Sequence, residues 1–527
     1  MPYPFVLPTT SAFVFTTAFD SPTHPSLPST ASTYRSVVRD TLKRHKRMPP
    51  ETQSSNLGLV VSSLEDYLPY LIALADGLAG RNRDVQVSLL PQRRNKGPGP
   101  LAAAGPESGS RSAQAPAAAS GPGLEWRPVL AEARLPGKEP PRVRIPLNQA
   151  ALDAEAVFVL AALGHAYTLQ ARAALQPLYV VTSVVPVGSE QRKAALATAL
   201  KHLQTAAGVF SFATTFAASS SYAASAAPSP EVSASTLRSL AALALAEATL
   251  VAVLKDDPYP AAVAQDRNEH DREWMYKAPD LPKVRAHLYA RLCLAAADHA
   301  ARAASGVSGV AGISRAFVRY LQDLRHTSRA KACRFFAIDA DLGGQTGTAL
   351  AWVHGALLEL RDGGGGPAGA AGWGSASPSS SLAAAADKKS LLDRFKKDRA
   401  EKREKKEDKR VERGSGWGGD AGRLEETRVL AMLDAKWTKQ NDTVNTQRIP
   451  PAGPLVAQMP SGREFATVQP MVRPQLDASV LEAMRAPRDP LDALGDEMDG
   501  TTLVSSDDEG PELPTSGRQS AAPSSYF

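Results

Sequence analysis

The chain has 527 residues, 60 Lys+Arg against 54 Asp+Glu, 43% apolar residues and two cysteines. That length and apolar content suffice for a sizeable core and exclude wholesale disorder, while Cys293 and Cys333 alone exclude a disulfide framework or a cysteine-built zinc site. Of the net charge of +6, a surplus of +5 sits between Asp387 and Arg413, so the remainder of the chain is close to neutral and a basic nucleic-acid-binding body is excluded.

In chain order, the N-terminus MPYPFVLPTTSAFVF has no basic region ahead of its apolar stretch and carries two prolines within its first four residues, so it does not read as a secretory signal. Strand-like pieces come early: Ala12–Thr16, Asp84–Leu89 and Arg142–Ile145 alternate or carry β-branched residues beside turn signals, which predicts a small sheet. Between them, residues 92–124 are rich in Pro, Gly, Ala and Ser and lack the large apolar side chains that offset ordering entropy, as expected of a disordered insertion.

From Leu147 the period becomes helical. Apolar residues at three- and four-residue spacing predict helices over Leu152–Leu175, Gln191–Phe212, Ser235–Lys255, Lys283–Ala304, Ser314–Ala340, Thr346–Leu360 and Gly422–Thr438. Ser235 or Thr236 is placed to cap the third of these, and Asp256-Asp257-Pro258 ends it. The most apolar stretch, 237–254, holds Arg238 and Glu247 and reads as a buried helix rather than a membrane span. A second insertion, 362–423, contains the charged segment 387–413, which reads as a solvated, partly helical face. The tail is acidic and reads as disordered. The architecture expected is mostly α: antiparallel helical hairpins laid side by side, with a small N-terminal β element.

Motifs for chemistry are few. Asn268-Glu269-His270-Asp271 resembles a metal site by composition only, with no further ligands at suitable spacing, so neither metal nor cofactor is expected. Cys293 and Cys333 lie within apolar helix faces and read as small buried hydrophobes, although His299 and His326 are conceivable partners for a thiol. Gly343–Gly347 lacks the Gly-Lys-Ser/Thr ending of a phosphate loop and reads as a turn between helices. An enzyme is therefore not expected. What remains is recognition: Phe317, Tyr320, Leu321 and Leu324 form an i, i+3, i+4, i+7 stripe that serves either as core or as a partner groove.

Several strings also resemble a known family. Leu124–Pro128 followed by Arg142–Ile145, then DAEAVFVLAALGHAYTLQA (153–171), KHLQTAAGVFSF (201–212) and AKACRFFAIDADLGGQTGTALAWVHGALLEL (330–360), are similar to successive elements of the Bro-one domain family, and Lys439–Val444 through Arg448-Ile449-Pro450 is similar to its closing strap. PYPFVLPTTSAFVF, TASTYRSVVRDTLKRHKR (30–47), EWMYKAPDLPKVRAHLYARLCLAAADHA (273–300) and WTKQNDTVNTQRIPPAGPLVAQMPSGRE (437–464) point within that family to its short fungal members of alkaline-pH signalling. The resemblance covers about 5–475 and implies one Bro-one type domain over 1–475, interrupted by the two insertions, followed by a disordered acidic tail over 476–527. It implies a curved domain with a tetratricopeptide-like centre that binds the C-terminal helix of an ESCRT-III subunit of the Snf/CHMP type. It implies an adaptor, cytoplasmic and recruited to the cell cortex, plasma membrane or endosomes, linking that subunit to the pH-sensing complex that leads to proteolytic activation of a transcription factor. Membrane contact is expected to be indirect and nucleic acid is not expected as a partner. Carried onto this sequence, the family's apolar patch falls on Phe317 and Leu321, with Ala304 where the family has an aromatic and Tyr320 or Leu324 as substitutes for the lost ring. Gly164 and His165 stand where the family often has a buried Asn. The rival reading is a basic lipid- or nucleic-acid-binding scaffold acting through 387–413.

Overall fold

The structure is a computed structural model that describes residues 2–91, 123–133, 139–180, 187–219, 227–266, 283–362, 402, 405–414 and 416–487. Long helices follow one another and each lies mainly against the next. They are α1 (Leu27–Arg47), α2 (Pro50–Leu78), α3 (Ala151–Leu175), α4 (Ser189–Ser219), α5 (Ala234–Asp256), the short α6 (Tyr259–Asp266), α7 (Lys283–Ser308), α8 (Arg315–Leu342), α9 (Thr346–Asp362) and α10 (Arg423–Gln440). The spatial order α1, α2, α3, α4, α5, α7, α8, α9, α10 is the chain order with α6 as a bridge, as expected of hairpins joined by short turns.

α1 and α2 were not foreseen from periodicity. Both carry interruptions that blur the pattern, namely Pro28 in the first turn of α1 and Gly58 and Pro69 inside α2. The expected strand at Ala12–Thr16 is instead a turn: Phe15–Thr17 is a 3₁₀ helix, and the Phe15 N–H donates to Ser32 Oγ at 2.8 Å, which draws the fully buried Phe15 ring under α1. True strands flank it. β1 (Thr9–Thr10) pairs antiparallel with β4 (Gly123–Arg127), which pairs with β5 (Val143–Pro146), and β2 (Phe19–Asp20) pairs with β3 (Ser88–Leu89), leaving most of the predicted 84–89 strand unpaired.

The other helices extend the predicted ones by a few residues. α5 begins at Ala234 because Ser233 caps it, its Oγ accepting the Thr236 N–H at 3.3 Å; Ser235 and Thr236 lie inside the helix. α5 ends at Asp256, ahead of Pro258, as its sequence dictates. Gly343–Gln345 forms the expected turn, with Gly344 at φ +75°. Pro50–Leu78, Ala151–Tyr179 and Ala234–Asp256 are long and apolar enough to cross a membrane by composition, yet 56%, 89% and 67% of their most apolar windows are buried inside the array.

The first half of α3 is apolar on every side because it has no free side there: α2 and α4 flank it and β4 covers its start, with Trp126 stacked on Phe158 at 5.5 Å. Asp153 and Glu155 in its first turns are buried with partners. Arg81 bonds Asp153, and Arg35 Nε donates to Glu155 at 2.8 Å while Trp126 Nε1 donates to the other oxygen. Gly164 and His165 also find their reason here. A Cβ at 164 would lie 2.5 Å from the Phe210 ring, and His165 stacks on Phe5 at 4.2 Å.

Part of the second insertion, residues 405–414 and 416–423, is described. Residues 405–412 are helical, and the following glycine-rich turn inserts Trp417, 2% exposed, between Tyr179 and the Arg172 guanidinium, which lies 4.6 Å from its ring. Residues 476–487, which composition assigns to the acidic tail, are described and include a short helix. The Asn268–Asp271 cluster lies outside the described residues, and no group of three metal-binding side chains occurs among those described.

Beyond α10 the chain becomes a strap. Asn441 closes the turn at its root, its amide exchanging two 3.0 Å hydrogen bonds with the Gln447 backbone, while Gln447 reaches the α8–α9 turn at Gly344 and Gly347. After α11 (Ala452–Ala457), Arg463 N–H donates to Arg291 of α7, Met471 N–H to Gly208 of α4, and Arg473 holds Asp76 of α2 at 2.6 Å. Gly208 is required where the strap crosses, since a Cβ there would meet Gln469 O at 2.5 Å. α12 (Ala478–Met484) follows, and Ala486 N–H finally donates to Thr23, just ahead of α1.

Candidate functional site

The stripe on α8 is core. Phe317, Leu321 and Leu324 are fully buried and Tyr320 is 1% exposed, so the groove expected at these residues is closed; Ala304 is half-buried and packs against the same core. The physical reason is the N-terminal segment, which fills the space a ligand would take. Tyr3 stands edge-on to Phe317 at 5.1 Å and to Tyr320 at 4.8 Å, and Phe5 packs beside Phe317 and against His165.

Glu247 of α5 anchors that segment. Its Oε1 accepts both Tyr3 N–H and Tyr320 O–H at 2.8 Å, Arg172 donates to Pro2 O, and Oε2 is buried without a partner. Burial pushes the Glu247 carboxyl up to about 7 against the lowering pull of Tyr320 and Arg172, and it pushes the His165 imidazole down to about 3, with neither ring nitrogen bonded. The two groups oppose each other. An acid with a raised folded-state pKa holds its proton more tightly in the native protein. Its contribution is complete below about pH 4.5 and is lost as pH rises to about 7. His165 contributes above 6.5, and its contribution is lost as pH falls toward 3. Glu247→Gln keeps both accepted bonds, and it is expected to gain up to about 3 kcal/mol over the parent above pH 7. Urea unfolding at pH 5 and pH 8 checks this, and an unchanged difference between the two pH values in the variant refutes it.

An open site lies elsewhere. Between α3, α4, α5 and the strap is a trough of about 390 Å³, walled by Tyr167, Gly208, Leu245, Ala248, Val468 and Met471, with Lys201, Gln204 and Glu65 at its rim. Phe465 at its mouth is 41% exposed. Periodicity did not reveal it, because one side of its wall is the strap, which has no period; the Ala206-Ala207-Gly208 run that admits the strap was the available signal.

The thiols are not reactive groups. Burial pushes both Cys293 and Cys333 up to about 12, and Cys333 faces Met459 with its sulfur 3.9 Å away. His299 is bonded to Arg302 and His326 to Glu359, so neither serves a thiol.

A single array of sequential helices, opened by a small sheet and closed by a returning strap, is the Bro-one fold. ALIX bound to the SIVmac239 PYKEVTEDL late domain matches with a TM-score of 0.50 at 14% identity, over 95% of this chain and 53% of that one, so the chain spans about half of ALIX. The ALIX BRO1–CHMP4C complex matches with a TM-score of 0.46 at 14% identity, over 90% and 97% of the two chains. No family model matches. The pH-response regulator protein palC of Emericella nidulans is 39% identical over 514 residues, 92% of each chain. The chain belongs to the PalC family of pH-response regulators.

Proposed function

We propose that this protein is a non-enzymatic adaptor of ambient alkaline-pH signalling that holds the C-terminal amphipathic helix of an ESCRT-III subunit of the Snf/CHMP type. It would act in the cytoplasm at the cell cortex or endosome, linking that subunit to the pH-sensing complex upstream of transcription-factor proteolysis. One observation supports the binding step: the trough under the strap is apolar within, polar at its rim and open at Phe465, which is what anchors on one helix face require. The regulator relative supports the pathway. The patch at Phe317, Tyr320, Leu321, Leu324 and Ala304 serves this reading only if residues 2–7 leave it.

Calorimetric titration of the full chain with a peptide of that helix tests the proposal. Binding in the micromolar range is expected, and Leu245→Asp, a half-buried position on the trough wall, is expected to weaken it at least tenfold while the protein stays folded by circular dichroism. No binding by the folded parent overturns the adaptor reading, and undiminished binding by Leu245→Asp moves the helix away from the trough.

A further inference from the structure

α1 is the outermost helix, packed mainly on α2, and its outward face is basic. Arg39, Lys43 and Arg47 follow one another at four-residue spacing, a row about 12 Å long. With Arg44 they line an open hollow of about 630 Å³, floored by Met48 and Pro49, whose one acidic residue is Asp40. The β4–β5 hairpin brings Arg127 and Arg142 to the same place, next to Lys46. Countercharge is incomplete: Asp40 pairs with Arg39, Glu139 serves both Lys46 and Arg127, and Arg142 has Glu125 at 3.9 Å.

The cations work against one another. Lys43 is held below the usual lysine range by partial burial and then by Arg39, Arg142 and Arg47, and Lys46 by partial burial and then by Arg127 and Arg142. A site in which like charges face one another across an open hollow gains free energy from a polyanion that neutralises them. The occupant is a surface rather than a small molecule because the hollow is shallow and lies on the exposed flank of the end helix, with four cations and a single carboxylate around it. Among the described residues, no aromatic side chain lines this hollow to stack on a base.

We propose that the outer face of α1, with Arg127 and Arg142 of the β4–β5 hairpin, is a direct membrane-contact site that takes the phosphate groups of phosphoinositide headgroups. This site is separate from the charged segment 387–413 and from the trough under the strap, and it gives the adaptor its own hold on a bilayer.

The test is co-sedimentation of the full chain with phosphatidylcholine vesicles with and without phosphatidylinositol bisphosphate. Binding to the doped vesicles, weakening as salt is raised, is expected, with on the order of a hundredfold loss in Lys43→Glu/Arg47→Glu. Lys436→Glu/Lys439→Glu, the same charge change on exposed positions of α10, is expected to bind like the parent. Melting curves verify that both variants are folded. Three results overturn the proposal: no binding by the parent, equal loss in the two variants, or full binding by Lys43→Glu/Arg47→Glu. A fourth is displacement of the parent from vesicles by stoichiometric inositol hexakisphosphate, which makes the occupant a free polyanion. A fifth is a preference for duplex DNA over vesicles, which makes it a nucleic acid.

Discussion

Replacing Arg334 by methionine is expected to cost about 3–5 kcal/mol, enough to remove most of the stability of an ordinary domain. Arg334 is fully buried on α8, where Nη2 donates to Asp257 at 2.5 Å and Nε to Glu426 at 2.6 Å. Burial pulls the guanidinium pKa down, but Asp257 and Glu426 more than offset it and hold the group firmly charged. Glu426 is likewise raised by burial and brought below its ordinary value by Arg334 and Lys331. Taking away the cation leaves two carboxylates in the interior that have lost their shared partner, although Lys331 stays bonded to Glu426 at 2.7 Å. The network joins the end of α5, the middle of α8 and the start of α10, so its loss loosens the last third of the array first. Urea unfolding measures the cost, and Arg334→Met/Asp257→Asn/Glu426→Gln is expected to recover part of it. A single variant within about 1 kcal/mol of the parent shows that the three groups do not act together.

Leu321→Asp is expected not to fold at all, whereas Leu321→Ala loses about 2–5 kcal/mol and remains native-like. The aspartate would lie at a fully buried position on the stripe that Tyr3 and Phe5 cover. Near-ultraviolet circular dichroism and a melting curve decide the matter. A cooperative melt for Leu321→Asp near that of the parent means that residues 2–7 release the stripe at little cost, which returns Phe317 and Leu321 to the surface.

The two residues illustrate what the sequence could disclose. The α8 stripe was plain as a spacing, but an i, i+3, i+4, i+7 pattern is the same whether its cover is another helix, a partner or, as here, an aperiodic segment some 310 residues upstream. The helices from α3 to α10 were legible because packing between two neighbours imposes a period on each. α2 was obscured by Gly58 and Pro69, which break the local preference while tertiary packing restores the helix. Trp417 was hidden for a different reason: its neighbours are glycines, and composition alone assigned it to the insertion. The basic row on α1 was in plain view in TLKRHKR, but its meaning depended on Arg127 and Arg142, which only the hairpin brings near. The trough needed the strap, and the strap acquires its course from glycines at 208, 347 and 462 that let its backbone touch the helices.

That strap changes how the whole array behaves. In a stack where each helix meets only its neighbours, stability is a chain of local links, and either end can peel away without consulting the other. Here a single stretch, from the α8–α9 turn to Thr23, ties helices that are hundreds of residues apart. Fraying at α1 must release Ala486, and fraying at α9 must release Gln447, so both ends share one fate. Amide hydrogens in the outer helices should therefore exchange at rates closer to those of α3 and α5 than in an open solenoid. The cost falls on folding, since the strap's contacts close loops of several hundred residues.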